Sequence, residues 1–271
     1  MKFKVVVTMT LPQHHFESPY EEEVLGKIGA EVIKYKRCAT EEAVIAACHD
    51  ADAVLNVFEP FSRKVIEKLS KCKIISKLGT GLDGTDINAA IEHGIVLTNL
   101  PEWCNEEVSD QAMTLLLACS RKILTMNRIA RTPGLAWWSA EARKSLEPMF
   151  ALRSQTLGLV GFGKIARTLL PKAKAFGLRI LAFDPYLKPD QIQAYGVEPV
   201  EFSQLLEQSD FVSIHVPLTK ENYHLFGLEQ FRKMKPTAYL INTSRGAIVD
   251  EKALYTAITQ GWIAGAGLDV L

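Results

Sequence analysis

An apolar run, Thr156–Val160, leads directly into Gly161-Phe162-Gly163-Lys164-Ile165-Ala166, and a helical pattern follows over 164–176. This junction limits the chain to very few folds. The first glycine allows a tight turn out of a strand. The second lets another group approach the backbone closely. The third small residue, here Ala166, lets the helix pack on the strand. The opening N–H groups and dipole of the helix then face whatever sits in the turn, which suits an anion. Gly177 ends the helix, and a second strand, Arg179–Phe183, delivers Asp184. Strand, glycine turn, helix, strand and acid in this order form the dinucleotide fingerprint. The unit requires a parallel sheet with helices on its faces. A carboxylate at 184 bonds ribose hydroxyls and repels a 2′-phosphate, and Pro185 and Tyr186 offer such a phosphate no positive charge. NAD is expected over NADP, with Lys188 as the nearby charge that argues the other way.

A second stretch, Gly79-Thr80-Gly81-Leu82-Asp83-Gly84, meets the glycine spacing in full. Its context fails. The helical pattern after it is short, and no strand ends in an acid at the required distance, so the cofactor is assigned to Gly161–Asp184.

The remaining pattern is α/β throughout. Strands are predicted at Lys4–Val7, Glu31–Tyr35, Ala53–Val57, Lys73–Leu78 and Ile95–Thr98, with helices near Tyr20–Ile28, Glu41–Cys48, Ser62–Leu69 and Ile87–His93. A long helix is predicted from an N-cap at Asn105 through Cys119, with Glu106 and Glu107 complementing its dipole. An irregular stretch with Pro133, Gly134, Trp137, Trp138 and Pro148 follows. A second series then begins at Thr156, with further strands at Phe211–Ile214, Ala238–Asn242 and Gly265–Val270 and helices near Ser203–Gln208, Leu228–Met234 and Glu251–Thr259. The fold expected is two Rossmann-like or flavodoxin-like parallel-sheet domains, residues 1–103 and 104–271, the second binding the dinucleotide.

Composition narrows the partners. Lys plus Arg and Asp plus Glu both number 31, so the strong positive field of a nucleic-acid or polybasic membrane binder is missing. The longest near-apolar stretch, Ala112–Cys119, is far too short to span a bilayer. The opening residues Met1–Val7 look like a strand rather than a signal-peptide core. Five cysteines, Cys38, Cys48, Cys72, Cys104 and Cys119, form no C-x-x-C pair, so no zinc site or disulfide framework is expected. Free thiols suit a cytoplasmic protein.

Several segments together resemble the D-isomer-specific 2-hydroxyacid dehydrogenases over nearly the whole chain. They are Gly158–Ala166, Phe183-Asp-Pro-Tyr186, His215-Val-Pro-Leu-Thr219, Asn242-Thr-Ser-Arg-Gly-Ala-Ile-Val-Asp250 and Gly265-Ala-Gly-Leu-Asp-Val270. Cys104–Gln111 resembles the interdomain helix of the phosphoglycerate dehydrogenase and C-terminal-binding-protein branch. The resemblance implies NAD-dependent oxidation of a 2-hydroxy acid at its CH–OH group, in a cleft between a substrate domain and an inserted nucleotide domain. Arg245 is the residue it assigns to the substrate carboxylate, which a planar guanidinium matches well. Gly161, Gly163, Lys164, Ile165 and Asp184 would hold the cofactor. Val216 and Pro217 would wall its adenosine side, Thr243 and Asp269 its nicotinamide side, and Ser244 would also contact the cofactor. Gly79 and Thr80 would meet substrate through the backbone, with Thr80 also reaching the cofactor.

The resemblance also implies a glutamate shortly after Asp269 and, further on, a histidine that exchanges the hydroxyl proton. The sequence stops at Leu271. These 271 residues are therefore expected to be a fragment without appreciable turnover of their own. His215 is expected to be structural; His14 and His15 follow the first strand, and His49, His93 and His224 carry no signal. Asn242-Thr-Ser matches a glycosylation site in form only. A homodimer is implied, with 131–150 as the candidate contact. Loop Asn56–Pro60 and Trp103 are candidates for side-chain selectivity. An NAD-sensing corepressor-like protein and a formate or phosphite dehydrogenase relative are the alternatives.

Overall fold

The computed structural model describes residues 2–9, 19–36, 38, 40–134, 136 and 138–271. His14, His15 and Trp137 lie outside the described residues. The chain divides into two compact units, Met1–Trp103 and Cys104–Leu271.

The first unit runs β1 (Lys4–Met9), α1 (Tyr20–Gly26), β2 (Glu31–Lys36), α2 (Glu41–Cys48), β3 (Ala53–Asn56), α3 (Arg63–Ile66), β4 (Ile74–Lys77), α4 (Ile87–Glu92) and β5 (Val96–Thr98). All strand pairs are parallel, in the order β2-β1-β3-β4-β5. Local chemistry explains the helix starts: Thr40 accepts the Ala43 N–H, and Asp86 accepts the Ala89 N–H at 2.8 Å. Val6, Val54 and Ile75 bury one sheet face against Val44, Phe61, Ile66 and Ala90. Three thiols share this core. Burial pushes Cys48 up to about 12 and Cys72 up to about 11, so neither forms a thiolate near neutral pH.

The second unit begins with α5 (Asn105–Ser120), α6 (Ile123–Arg131) and α7 (Ala140–Leu146). It continues β6 (Thr156–Val160), α8 (Lys164–Ala175), β7 (Arg179–Phe183), α9 (Pro189–Gln193), β8 (Glu198–Pro199), α10 (Phe202–Gln208), β9 (Phe211–Ile214), α11 (Leu228–Lys233), β10 (Tyr239–Asn242), α12 (Glu251–Thr259) and β11 (Gly265–Leu268). The sheet is parallel, ordered β11-β10-β9-β6-β7-β8. One face packs on α5 and α8 through Leu116, Leu159 and Leu169. The other packs on α10, α11 and α12 through Leu205, Phe231 and Leu254. Lys172 of α8 ties the first turn of α5, reaching Glu106 Oε2, Ser109 Oγ and Asp110 Oδ1 at 2.6–2.8 Å.

Two expectations need correction. The cap of α5 is Cys104, at φ +62, and Asn105 is already helical. The chain arrives through a turn that needs a left-handed residue there, so backbone geometry overrides side-chain preference. The stretch from Pro133 to Pro148, expected to be irregular, contains α7, and α6 lies just before it. Lys122, at φ +50, breaks α5 from α6. Ile129 of α6 is buried against Ala142 and Leu146 of α7, whereas Leu124 is 77% exposed.

Candidate active site

The dinucleotide-type turn is built as its residues require. Gly161 has φ +89, and a β-carbon there would lie 2.7 Å from Val216 Cγ1 and 2.8 Å from the His215 carbonyl oxygen. Only glycine lets β6 turn so close to the end of β9. The Gly161 N–H donates to the Phe183 carbonyl at 2.8 Å. The Phe162 N–H donates to Asp184 Oδ2 at 2.9 Å, and the Tyr186 N–H to Asp184 Oδ1 at 3.0 Å. Asp184 therefore braces the turn from the carboxyl end of β7.

Gly163 is different. It has φ −78, and no atom lies within 4 Å of the place a β-carbon would take. This open space lies directly before the first turn of α8, where Lys164 and Ile165 begin the helix. The first N–H groups of a helix have no acceptor within it. Space, donors and a positive helix end together fit a pyrophosphate. A second observation agrees with a bound dinucleotide: Thr243 Oγ1, at the carboxyl end of β10, is buried and has no hydrogen-bond partner.

Arg245 stands on the loop after β10, in extended conformation. Its Nη1 donates to the Ser244 carbonyl at 2.8 Å. Asn242, 1% exposed, holds the loop: its Nδ2 donates to the Arg245 carbonyl at 2.9 Å and its Oδ1 accepts the Ser244 N–H at 3.0 Å. Its backbone carbonyl accepts the Asp269 N–H at 3.0 Å. The Ser244 hydroxyl donates to the Val216 carbonyl, which joins the loop to the wall packed on Gly161. Gln111 Nε2 donates to Asp269 Oδ1 at 2.8 Å. Within the second unit, Gly161, Asp184, Val216, Ser244, Arg245 and Asp269 thus belong to one bonded assembly, with Pro217 next along the β9 loop. Asn242 was not predicted as a site residue. The signal available was an asparagine at the last position of a strand, three residues before an arginine. Its burial also removes the glycosylation reading.

His215 is not an acid–base group in this arrangement. Its Nε2 shares a 2.9 Å hydrogen bond with Ser213 Oγ, and burial lowers its pKa to about 4. His49 and His93 bond helix carbonyls of their own segments, and His224 stacks on Tyr223.

In the first unit, Gly79 and Thr80 follow β4. The Leu100 N–H donates to the Gly79 carbonyl at 3.0 Å, and Asn99 Nδ2 to the Thr80 carbonyl at 2.8 Å. The Thr80 hydroxyl lies 3.2 Å from the Leu100 carbonyl and 3.3 Å from that of Trp103. The loop is held to the segment that closes the unit. The helix after it, α4, starts only at Ile87, so Gly79–Gly84 does not open a helix.

A six-stranded parallel sheet with a glycine turn, an acid closing the next strand and a braced arginine loop defines a dinucleotide-binding oxidoreductase domain. Residues 113–271 match the model of the D-isomer specific 2-hydroxyacid dehydrogenase NAD-binding domain. A glyoxylate reductase of Korarchaeum cryptofilum is 38% identical over 271 residues, covering 100% of this chain and 79% of that protein. The crystal structure of a glyoxylate reductase from Paecilomyes thermophila superposes with a TM-score of 0.85 at 27% identity, covering 99% of this chain and 81% of the other. D-lactate dehydrogenase from Aquifex aeolicus, complexed with NAD and lactic acid, gives 0.84 at 26% identity, covering 98% and 77%. The chain belongs to the D-isomer specific 2-hydroxyacid dehydrogenase family, enzymes that use NAD.

Proposed function

We propose that the protein interconverts a small D-2-hydroxy acid and its 2-oxo acid, with glyoxylate the first substrate to test. The observation that carries this reading is the loop Asn242–Arg245, braced on three sides and tied through Ser244 to the wall of the Gly161 turn. A guanidinium held there presents a fork to a carboxylate. In residues 1–103, the substrate domain, Gly79 and Thr80 are the residues that offer backbone groups to substrate. Gly161, Gly163, Lys164, Ile165 and Asp184 hold the dinucleotide, Val216 and Pro217 flank its adenosine, and Thr243, Ser244 and Asp269 face its nicotinamide, all within the nucleotide domain 104–271. Bound NAD(H) supplies the hydride acceptor or donor. The chain's own residues fix the carboxylate so that C2 meets that ring in one orientation.

The glyoxylate reductase that shares 38% of its residues with this chain supports the substrate size. NADH oxidation by the full-length protein with glyoxylate, hydroxypyruvate and pyruvate tests the reading, together with oxamate binding. Arg245→Ala is expected to weaken oxamate at least tenfold, and Arg245→Lys to restore only part. Turnover of none of the three acids, or an Arg245→Ala protein that binds oxamate normally, refutes it.

A homodimer is part of this reading. Ile123, Leu124, Trp138, Met149 and Phe150 are all more than 40% exposed, which is costly for a monomer. A cytoplasmic location is supported by five free cysteines.

A further inference from the structure

We propose that Asn242 is a positioning residue for the substrate, setting Arg245 against the carboxylate without touching the ligand itself. The inference rests on the reading of Arg245 given above.

The side chain of Asn242 has one donor and one acceptor end, and both are used on the same turn. Nδ2 donates to the Arg245 carbonyl at 2.9 Å, and Oδ1 accepts the Ser244 N–H at 3.0 Å. A backbone carbonyl only accepts and a backbone N–H only donates, so the amide has one orientation that satisfies both. Its own carbonyl takes the Asp269 N–H at 3.0 Å, so the residue is also locked to the end of β11. The guanidinium returns to the same turn through Nη1 and the Ser244 carbonyl at 2.8 Å. Asn242 thus holds the backbone of Arg245, and the tip of Arg245 bonds the one peptide that lies between the two Asn242 holds.

A similar bracket occurs in the first unit without an arginine. Asn56, fully buried at the end of β3, donates from Nδ2 to the Glu59 carbonyl at 3.1 Å and accepts the Glu59 N–H at 3.1 Å. An asparagine closing a turn after a parallel strand is therefore a loop-fixing device in this protein. At 242 the bracket ends on the carbonyl of the residue that meets the substrate. A displacement of the loop by even 1 Å there would misplace the fork, and such misplacement is what costs affinity and rate.

Asn242→Asp keeps size and acceptor but points an oxygen at the Arg245 carbonyl. The full-length protein, its Asn242→Asp and Arg245→Ala variants and the double variant are titrated with oxamate in saturating NADH, and with NADH alone. Oxamate affinity is expected to fall about tenfold in Asn242→Asp, with NADH affinity within twofold of the parent. In the Arg245→Ala background, Asn242→Asp is expected to change oxamate affinity less than twofold, because the two residues act on one contact. If Asn242→Asp does not fold, Asn242→Ser, which can accept from Ser244 but is too short to reach the Arg245 carbonyl, carries the same comparison. Unchanged oxamate affinity, a parallel loss of NADH affinity, or independent effects in the double variant each overturn the positioning role. If Arg245→Ala itself leaves oxamate binding intact, the functional reading fails instead.

Discussion

Gly161 and Gly163 stand two residues apart in one turn, yet their replacement by alanine is expected to have opposite consequences. At Gly161 a β-carbon meets Val216 Cγ1 at 2.7 Å and the His215 carbonyl oxygen at 2.8 Å, on a backbone with φ +89. A left-handed backbone costs an L-residue about 1–2 kcal/mol. Forcing a methyl into filled space costs about 1–3 kcal/mol more. Gly161→Ala is therefore expected to lose about 2–5 kcal/mol, which at this size lowers Tm by roughly 4–20 °C. At Gly163 the backbone has φ −78 and the β-carbon meets nothing within 4 Å. Gly163→Ala is expected to fold with a stability within about 0.5 kcal/mol of the parent. Its methyl instead fills the space before α8, so NADH affinity should fall at least tenfold, about 1.4 kcal/mol. Thermal unfolding without ligand and NADH fluorescence titration separate the two effects. The account of the turn is wrong if Gly163→Ala destabilises as much as Gly161→Ala, or if it binds NADH normally.

Three further outcomes follow from other contacts. Burial depresses the pKa of His215 from 6.5 to about 4, so the unfolded chain binds the proton more readily. Its neutral form contributes fully above about 6.5, and up to about 3 kcal/mol is lost as pH falls from 6.5 through 4. His215→Gln should flatten urea-unfolding stability across that window, and an unchanged slope counts against the burial argument. Burial of the Lys172 ammonium is outweighed by Asp110 and Glu106, which raise its pKa; its stabilising bonds therefore persist at neutral pH and fade only above the ordinary lysine range. Lys172→Met should cost about 1 kcal/mol at pH 7 in chemical denaturation, and no loss would mean the cluster is fully screened. If the proposed homodimer forms through the exposed face of α6, Leu124→Arg should give monomers in light scattering where the parent gives dimers, with Tm at low concentration unchanged; a variant that dimerises like the parent refutes that interface.

The sheet strands of the second unit were legible because their signals are local. Thr156–Val160, Arg179–Phe183 and Phe211–Ile214 are apolar runs bounded by glycine, aspartate or serine, and the structure keeps those bounds. α6 was not legible, because Ile129 is its one buried apolar residue while Ile123, Leu124 and Met126 are exposed, which leaves too little of a buried stripe to read. The two-residue β8 and the five-residue α9 are too short to carry a pattern. The cap at Cys104 was missed because the left-handed residue there is imposed by the preceding turn rather than by its own side chain.

The site divides along the same line. Spacing along one chain placed Gly161, Gly163 and Asp184, since a strand–turn–helix–strand unit fixes their neighbours within 25 residues. Family motifs pointed to Arg245. Only the folded chain showed that Asp184 braces the glycine turn, that Ser244 spends its hydroxyl on the Val216 carbonyl, and that Asn242 holds the arginine loop. Backbone geometry is a local property, and a glycine announces it. Which hydrogen-bond donor finds which acceptor depends on strands brought side by side from distant sequence, and that pairing exists only once the sheet has formed.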